Sequence, residues 1–485
     1  MSARDVFIDG AWESGEGVAF ESVCPATGAV SWSGHGASPQ QVVRAVTGAR
    51  AAFDHWSVEP RQRRAEILVR YRDQLAARKS EIAETISRDM GKVLWDAAGE
   101  AGAMIGKIDL SSAAQSERAG TKETEAAFGR LQLDHRPHGV MAVFGPFNFP
   151  GHLPNGHIVP ALLAGNTCVF KPSELAPAVA NIMIECLVEA GLPPGCLNLV
   201  HGGRDTGAAL LESDLDGVLF TGSAKTGIAF HRHFAGRPEI ILALEMGGNN
   251  PLVAWPPCDA AAAADIIAQG AFLTTGQRCS CTRRLILPEG KWGDDVLSAV
   301  AARAEAIRIG PWSDETAFMG PLVSAQAAVA ACTFQDMLMA RGGRPVVALT
   351  QQEPGLGFVS PGIIDVTEAQ DVPDEELFGP LIQVTRVATL EQAFARANAT
   401  KYGLAGGVVC DDDEVWQQSL VRMRAGILNR NRPTAGASGA LPFGGSGLSG
   451  NHRASAWYAA DYCAWPQASQ VAPKAARMQA VGFPE

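Results

Sequence analysis

The sequence predicts an α/β protein organised around a doubly wound parallel sheet. Between residues 139 and 254, short apolar runs of strand length alternate with segments of helix length. This alternation is typical of parallel strands that helices bury on both faces, and ligands of such sheets bind at the carboxyl ends of the strands. The apolar runs lie at 140–144, 167–170, 196–200, 217–220 and 240–244, and the helical segments lie near 155–165, 176–190, 204–213 and 223–234.

The flanking regions extend the same fold class. Residues 1–35 read as short strands and turns, and Ser38-Pro39 then opens a helix. Three further helices are predicted, and Gly91 supplies a stop for the second of them. A second α/β region runs from about 247 to 430, which suits a chain long enough for two or three domains. The three helices are predicted at 61–78, 80–90 and 95–118.

Composition argues against several classes of function. The chain carries 51 acidic and 40 basic residues, whereas binding to nucleic acid requires basic surface. The longest apolar stretch, 158–170, is interrupted by Pro160 and Gly165 and is too short to cross a bilayer. The N-terminal residues lack a secretory apolar core, and the cysteines and histidines show no disulfide or zinc spacing. We therefore expect a cytoplasmic protein with no nucleic-acid, membrane or metal partner.

Three residues in distinctive contexts carry the chemistry of aldehyde oxidation. Cys279 ends the run Gly-Gln-Arg-Cys, Glu245 lies in Leu-Glu-Met-Gly-Gly, and Asn148 lies in Pro-Phe-Asn-Phe-Pro. A thiolate can attack an aldehyde carbon, an amide can stabilise the alkoxide that forms, and a carboxylate can activate water. Each residue also has a structural alternative: a small buried hydrophobe, a capping carboxylate and a turn asparagine, respectively.

Together with Glu376-Leu377-Phe378-Gly379-Pro380, these motifs in this order resemble the NAD(P)-dependent aldehyde dehydrogenase superfamily over nearly the whole chain. The resemblance implies a nucleophilic Cys279, an oxyanion donor at Asn148 and a general base at Glu245. Relatives that pass the acyl group to coenzyme A generally lack this glutamate, so the resemblance favours hydrolysis.

The same resemblance implies a division into domains and an oligomer. A NAD-binding domain would comprise residues 1–118 and 139–246, and a catalytic domain would comprise residues 247–430. A small β-extension used for oligomer contacts would comprise residues 119–138 and 455–472. A homodimer or a dimer of dimers fits such an extension.

A dinucleotide site is predicted at the turn that follows the strand at 217–220. The usual Gly-x-Gly-x-x-Gly fingerprint is missing. A glycine-containing turn instead opens a helix, whose N-terminal N–H groups can bind a pyrophosphate. This turn, which resembles the cofactor turn of the superfamily, comprises Gly222, Ser223, Ala224, Lys225, Thr226 and Gly227.

Two further motifs are implied to hold the rest of the cofactor. By resemblance, Lys171, Ser173 and Glu174 would hold the adenosine ribose, and Glu376 and Phe378 would hold the nicotinamide end. Glu174 would repel a 2′-phosphate and so favours NAD over NADP, although Lys225 is a cation that could partly tolerate that phosphate. The alternatives are a surface ion pair between Lys171 and Glu174 and a solvated loop carboxylate at Glu376.

Three longer stretches indicate an anionic substrate. Residues 147–166, residues 246–252 and the C-terminal stretch 449–453 with 455–466 resemble the branch of the superfamily that oxidises N-succinylglutamate semialdehyde in arginine breakdown. This is a long substrate with two carboxylates. Gly156 stands where many relatives that oxidise apolar aldehydes carry an aromatic residue, so glycine leaves room. Other anionic semialdehydes, succinic or glutamic, remain alternative substrates, and a catalytically silent binding homologue is the alternative outside enzymes.

Polar and cationic side chains near these motifs are candidate substrate ligands. His152 and Asn155 add polarity beside Asn148. Arg278, Arg430 and Arg432 could bind carboxylates in forked geometry. Arg430 and Arg432 could equally be solvated loop charges, and members of this branch tend to carry an aromatic residue at the position of Arg430.

Overall fold

The protein is described from a computed structural model that covers residues 4–477 and 480–483. Its first stretch consists of β1 (Val6–Ile8), β2 (Ala11–Glu13), β3 (Ala19–Val23), β4 (Val30–His35), α1 (Pro39–Trp56), α2 (Arg61–Ala77), α3 (Lys79–Met90) and α4 (Leu94–Arg118). The second consists of β5 (Lys122–Ala126), β6 (Gly129–Pro137), β7 (Val140–Phe144), α5 (His152–Ala164), β8 (Thr167–Lys171), α6 (Ala178–Glu189), β9 (Leu197–Val200), α7 (Arg204–Leu211), β10 (Gly217–Gly222), α8 (Ala224–His233) and β11 (Ile241–Met246).

The third stretch continues this alternation of strands and helices to the end of the described chain. It consists of β12 (Pro251–Ala254), α9 (Ala260–Phe272), β13 (Arg284–Pro288), α10 (Lys291–Ala306), α11 (Ala325–Ala340), β14 (Arg344–Val347), β15 (Gly362–Asp365), β16 (Leu381–Val387), α12 (Leu390–Asn398), β17 (Ala405–Val409), α13 (Asp413–Arg422), β18 (Ile427–Arg430), β19 (Pro442–Phe443), β20 (Ser455–Ala456), α14 (Ala459–Tyr462) and β21 (Ala464–Val471).

The first large sheet has the order β11-β10-β7-β8-β9-β1-β2. Its strands from β11 to β9 are parallel, and β1 and β2 are added antiparallel at one edge. Because β8 and β9 extend the sheet on one side of β7 and β10 and β11 extend it on the other, the strand order reverses between β7 and β10. The crevice at the carboxyl ends of these two strands is the usual ligand site of such sheets.

Helices cover this sheet on both faces. Along β7, Met141 and Val143 belong to a core shared with α2 to α6, whereas Val140 and Ala142 belong to a core shared with α1, α7 and α8. Successive side chains of a strand point to opposite faces, so a strand buried on both faces reads as a continuous apolar run. The predicted doubly wound α/β class is therefore confirmed, and the predicted strands and helices lie within a few residues of the observed ones.

A second sheet has the order β14-β15-β16-β13-β12-β17-β18 and is parallel except for β14. Its central strands are again buried on both faces. Leu285 and Leu287 of β13 pack with α9 and α10, and Ile286 packs with α12. A turn of 3-10 helix at Leu273–Gly276 connects α9 to the segment that precedes β13.

A small antiparallel sheet joins distant parts of the chain. β21 pairs with β6 from Ala464↔Pro137 to Val471↔Arg130, and β5 pairs with the other side of β6. Residues 455–463 do not join this sheet but form β20, which pairs with β19, and α14, which packs against α4 and α5. The predicted division into domains and the use of this sheet in an oligomer stay predictions.

Two kinds of structural feature are absent from the described ranges. No helix there combines the length and the apolar character that crossing a membrane would require. Those same residues include no cluster of three or more histidine, cysteine, aspartate or glutamate side chains arranged to hold a metal ion.

Candidate active site

A cavity of about 330 Å³ lies between the two large sheets and is lined by residues from distant parts of the chain. Glu245, at the carboxyl end of β11, and Cys279, in the segment before β13, both line it. One face of α4, the first half of α5 and the segments around 435–443 and 455–456 complete the wall. The structure therefore brings the predicted nucleophile and the predicted base to one enclosed space.

Cys279 follows a turn whose backbone is strained. Thr274 and Thr275 have φ of 55° and 56°, a left-handed conformation that β-branched residues rarely adopt and that costs about 1–3 kcal/mol each. Both are held by their hydroxyls, since Thr274 Oγ1 donates to Asp96 Oδ2 over 2.6 Å and Thr275 Oγ1 donates to the carbonyl of Gly320 over 2.8 Å. The next residue, Gly276, has φ of 70°, and a Cβ there would clash with the carbonyl of Gly379.

The backbone of Cys279 is held by Asn250, whose side-chain amide donates to the carbonyls of Cys279 and Cys281 over 2.7 and 2.8 Å. Although Cys279 keeps some exposure to the cavity, desolvation raises the pKa of its thiol to about 12. The neighbouring carboxyl groups of Glu376 and Glu245 add to this rise. The thiol is therefore protonated at neutral pH in the chain without ligands.

Asn148 lies against the cysteine loop. It is 3% exposed, and its side-chain amide donates to the carbonyl of Gln277 over 2.9 Å. The backbone carbonyl of Asn148 accepts a hydrogen bond of 2.9 Å from Lys92 Nζ. Lys92 in turn forms an ion pair of 2.7 Å with Glu100. The second oxygen of Glu100 accepts from the first backbone N–H groups of α5, at Gly151 and His152. A fully buried ion pair thus holds the oxyanion candidate in place.

Glu245 is 3% exposed and has one hydrogen-bonded oxygen. Its Oε1 accepts from the backbone N–H of Ser455 over 3.1 Å, whereas Oε2 has no hydrogen-bond partner in the described part of the chain. Burial raises the pKa of Glu245 well above its usual range, and the bond from Ser455 only partly opposes this rise. A carboxyl group with a raised pKa and an unpartnered oxygen suits proton transfer at the cavity.

Glu376 and Phe378 lie close to the cysteine loop. Glu376 Oε1 is buried without a hydrogen-bond partner among the described residues, and the nearest guanidinium nitrogen, of Arg283, is 3.6 Å away. Burial raises the pKa of Glu376 to about 7, although Arg283 opposes the rise. A Cβ at Gly247 would overlap the Glu376 carboxylate, which therefore needs glycine there. Phe378 packs edge-on against Phe147 with ring centroids 5.8 Å apart.

The predicted dinucleotide turn lies at the carboxyl end of β10. Ser223 is the N-cap of α8, and its hydroxyl accepts from the N–H of Thr226 over 3.2 Å. Gly227 faces Met246 so closely that a Cβ would clash with the sulfur. Lys225 is exposed. The helix therefore begins at the reversal of strand order, where the N-terminal N–H groups of a helix can bind an anion.

The second cofactor motif lies at the carboxyl end of β8. Lys171 is 8% exposed, and its Nζ lies 3.7 Å from Glu174 Oε2 and donates to the carbonyl of Pro172. Burial lowers the pKa of Lys171. Glu174 is exposed, and the hydroxyl of Ser173 accepts from the N–H of Leu175. Lys171 and Glu174 can bind ribose hydroxyls, the N-terminus of α8 can bind phosphate, and the unpartnered oxygen of Glu376 can accept a further hydrogen bond. Together these groups fit a nicotinamide dinucleotide.

Of the predicted substrate ligands, His152 and Arg278 line the cavity. Arg278 forms an ion pair of 2.7 Å with Asp96, and its guanidinium lies 5.0 Å from the ring centre of Phe149. His152 Nδ1 is buried and has no hydrogen-bond partner within the described ranges. Burial, together with the positive charges of Lys107 and Lys92, lowers the pKa of His152 to about 3, so this histidine is neutral.

Three predicted substrate ligands lie elsewhere. Asn155 is 0% exposed, and it accepts from Tyr71 and donates to the carbonyl of Met104, so it is part of the core. Arg430 donates to Asp413 and to the carbonyl of Cys410 at the edge strand β18. Arg432 is exposed, and neither arginine lines the cavity. Packing thus keeps these three residues away from the cavity, and their contact with a substrate stays a prediction.

Sequence reasoning missed the contribution of α4. Asp96, Glu100 and Lys107 line the cavity at helical spacing, although only the helix itself had been predicted. The signal for this contribution would have been three charged residues on the helix face that also carries Ala103 and Met104. Charged side chains are rarely buried unless an opposite charge or a hydrogen-bond partner compensates them, so their presence on an apolar face indicates a site.

The sequence profile of the aldehyde dehydrogenase family matches residues 12–467. The chain belongs to this family. It is 54% identical over 468 residues to N-succinylglutamate 5-semialdehyde dehydrogenase 2 of Caulobacter vibrioides, with 96% of each chain covered. A solved aldehyde dehydrogenase of Mycobacterium tuberculosis complexed with NAD+ has 28% identity and a TM-score of 0.90 over 98% of this chain and 99% of that one.

Another solved relative carries the phosphorylated dinucleotide. An NADP-dependent glyceraldehyde-3-phosphate dehydrogenase of Bacillus halodurans, complexed with NADP, has 26% identity and a TM-score of 0.89 over 97% of this chain and 99% of that one. The predicted aldehyde dehydrogenase fold is confirmed by this likeness. This aldehyde dehydrogenase is thus an oxidoreductase whose structural relatives bind NAD or NADP.

Replacing Glu100 by Gln should lower the free energy of unfolding by about 3–5 kcal/mol, because the buried ammonium of Lys92 would lose its counter-charge. The measurement is the shift of the urea unfolding midpoint and of Tm. Glu84→Gln is the matched control, because it removes an exposed ion pair to Arg88 and should cost about 1 kcal/mol or less. Equal shifts for the two variants would contradict the role of the buried pair.

The alkylation rate of Cys279 by iodoacetamide should rise about tenfold per pH unit between pH 7 and 9 without cofactor. The thiolate is the reactive form, and its fraction increases with pH as long as the pH lies below the thiol pKa of about 12. Mass spectrometry of the peptide that contains Cys279 measures the rate, with free cysteine as the reference. A plateau below pH 8 would show that the site favours the thiolate before any ligand binds.

Proposed function

We propose that this aldehyde dehydrogenase oxidises N-succinyl-L-glutamate 5-semialdehyde to N-succinyl-L-glutamate with NAD, in arginine breakdown. The observation that carries the proposal is the convergence of Cys279 and Glu245 on one cavity whose wall holds cationic side chains. The high identity to a relative that bears the name of this activity supports the choice among semialdehydes. An anionic substrate requires such cationic groups in a chain whose net charge is −11.

In the proposed reaction, Cys279 Sγ bonds to the aldehyde carbon as its proton passes to a base in the cavity. The carbonyl oxygen becomes an alkoxide, and the side-chain amide of Asn148 and the backbone N–H of Cys279 donate to it. Removing one such donor typically lowers the rate by about 10²–10³. The buried pair of Lys92 and Glu100 supports this step, because it positions the carbonyl of Asn148.

The cofactor contacts in the proposal come from three places. Lys171, Ser173 and Glu174 would hold the adenosine ribose, the start of α8 would hold the pyrophosphate, and Glu376 and Phe378 would hold the nicotinamide ribose and ring. The chemistry that the dinucleotide supplies when bound is acceptance of the hydride that the substrate carbon loses.

Glu245 completes the proposed cycle. After the hydride is lost, Cys279 carries the substrate as a thioester. Glu245, once deprotonated, takes a proton from water, whose oxygen bonds to the thioester carbon while the C–S bond breaks. Glu245 then passes that proton to the leaving sulfur, so that Cys279 regains its thiol, and the acid product loses its own proton to solvent and leaves as a carboxylate. The unpartnered Oε2 of Glu245 supports this role, because it is available to accept a proton.

The proposal extends to an oligomer in the cytoplasm, a homodimer or a dimer of dimers. The small sheet of β21, β6 and β5 supports it, because β5 is an outer strand with exposed backbone groups. Phe128, Leu131 and Trp465 on or beside this sheet are 46%, 43% and 43% exposed, which suits contact with a second copy.

The test is NADH formation from N-succinylglutamate semialdehyde, with glutamic and succinic semialdehydes alongside. We expect kcat/KM to be at least about tenfold higher for the succinylated aldehyde, because an additional carboxylate is bound. Cys279→Ala should abolish turnover, and Glu245→Gln should release about one NADH per site before turnover slows. Equal or faster turnover of the smaller aldehydes would overturn the choice of substrate, and absence of NADH with all three would favour a silent homologue.

Glu174→Gln should reduce the preference for NAD over NADP about five- to tenfold, because a carboxylate that repels the 2′-phosphate is removed. The measurement is the ratio of kcat/KM for the two dinucleotides at low ionic strength. Lys225→Gln is the opposite control, since loss of this exposed cation should raise the preference for NAD. A ratio that Glu174→Gln leaves unchanged would contradict the role of Glu174.

A further inference from the structure

Lys107 is a buried lysine on the cavity wall that the catalytic scheme does not use. It lies on α4, is 5% exposed and lines the cavity together with His152, Gly156 and His157 of α5. A Cβ placed on Gly156 would lie 3.9 Å from Lys107 Nζ, and one placed on Gly439 would lie 4.0 Å from it. The ammonium group therefore lies beside two residues that have no side chain.

Among the described residues, the other lysine or arginine that lines this cavity, Arg278, has a carboxylate partner, and so does the buried Lys92 nearby. Lys92 pairs with Glu100, and Arg278 pairs with Asp96, each over 2.7 Å. Lys107 forms neither an ion pair nor a side-chain hydrogen bond with any residue that the structure describes. The two carboxylates of α4 that line the cavity, Asp96 and Glu100, are thus already engaged with other cations.

The remaining groups around Lys107 do not compensate its charge. Burial and the charge of Lys107 lower the pKa of His157 to about 3, and its ring is hydrogen-bonded to Tyr462 and Thr221. His152 is neutral for the same reasons. Burial alone lowers the pKa of Lys107 to about 8, and no carboxylate opposes this shift. A desolvated ammonium without a counter-charge is expensive to keep, which is characteristic of a binding group that awaits its ligand.

We propose that Lys107 is the specificity residue that binds a carboxylate of the substrate in this cavity. This inference rests on the proposed function only in that the substrate is an anionic aldehyde. The carboxylate supplies the missing counter-charge, and the absence of side chains at Gly156 and Gly439 leaves room for it beside the ammonium. A neutral aldehyde leaves the ammonium unpaired, so Lys107 discriminates against it.

The test compares Lys107→Met with wild type on three aldehydes: N-succinylglutamate semialdehyde, its N-acetyl analogue, which lacks the distal carboxylate, and butanal. Charge-assisted hydrogen bonds of this kind justify an expected loss of about 10- to 100-fold in kcat/KM for the succinylated substrate, mainly through KM. Turnover of butanal should change less than about twofold. Lys107→Arg should retain most of the activity, and Lys291→Met, at an exposed lysine, should have no effect.

The N-acetyl analogue shows which carboxylate is bound. A similar loss with this analogue assigns Lys107 to the α-carboxylate, and a loss restricted to the succinylated substrate assigns it to the distal carboxylate; both results support the proposal. Equal losses on butanal and on the anionic aldehydes would overturn it. If wild type proves to prefer glutamic or succinic semialdehyde, the proposed substrate fails, but the same comparison with butanal still tests Lys107.

Thermal stability gives a readout that separates binding from a structural role. Lys107→Met removes an uncompensated buried charge and replaces it by an apolar side chain of similar length. Tm should therefore stay the same or rise while binding of N-succinylglutamate, measured by calorimetry, weakens about 10- to 100-fold. A lower Tm with unchanged binding of N-succinylglutamate would show that Lys107 only supports the fold.

Discussion

The buried ion pair between Lys92 and Glu100 is the interaction on which the site depends. Both side chains are completely buried, so removing their charges from water is costly. Their mutual attraction offsets this cost because both groups also make further hydrogen bonds. Glu100 accepts from Lys92 and from two backbone N–H groups at the start of α5, and Lys92 also donates to the carbonyl of Asn148. The pair therefore joins α4, the segment after β7 and α5 into one rigid unit beneath the cavity.

The same helix also restrains the cysteine loop. Asp96, one turn before Glu100, accepts from the hydroxyl of Thr274, which lies in the strained turn, and from the guanidinium of Arg278, which directly precedes Cys279. Strain of this kind persists only where the surrounding structure enforces it. The position of the nucleophile thus follows from α4, a helix that belongs to the first half of the chain, while Cys279 precedes the second sheet.

Burial sets the electrostatic state of the cavity. It disfavours the charged forms of Glu245 and Cys279, and it keeps His152 and His157 neutral. An environment of low polarity strengthens each remaining electrostatic interaction. Because Arg278 is paired with Asp96, the ammonium of Lys107 is the charge that we propose meets an anionic aldehyde. In our proposal, the same cavity therefore combines proton transfer by Glu245 with recognition of a carboxylate by Lys107.

Local sequence determined the strands, the helices and the three motifs around Cys279, Glu245 and Asn148. Continuous apolar runs, Ser38 as a helix cap and Gly91 as a helix stop are features that neighbouring residues decide. The sequence also predicted the turn at the start of α8, because a run with glycine and serine follows an apolar stretch of strand length and opens a helix.

Only the tertiary structure decided which polar residues face the cavity. Asn155 lies on the same helix as His152, yet packing against Tyr71 buries it, and the pair with Asp413 holds Arg430 at a sheet edge. Lys107, by contrast, faces the cavity beside α5. The two carboxylates of α4 that line the same cavity, Asp96 and Glu100, are paired with other cations. The rotation of a helix and the choice of ion-pair partners depend on contacts between residues far apart in the chain, and local patterns do not record them.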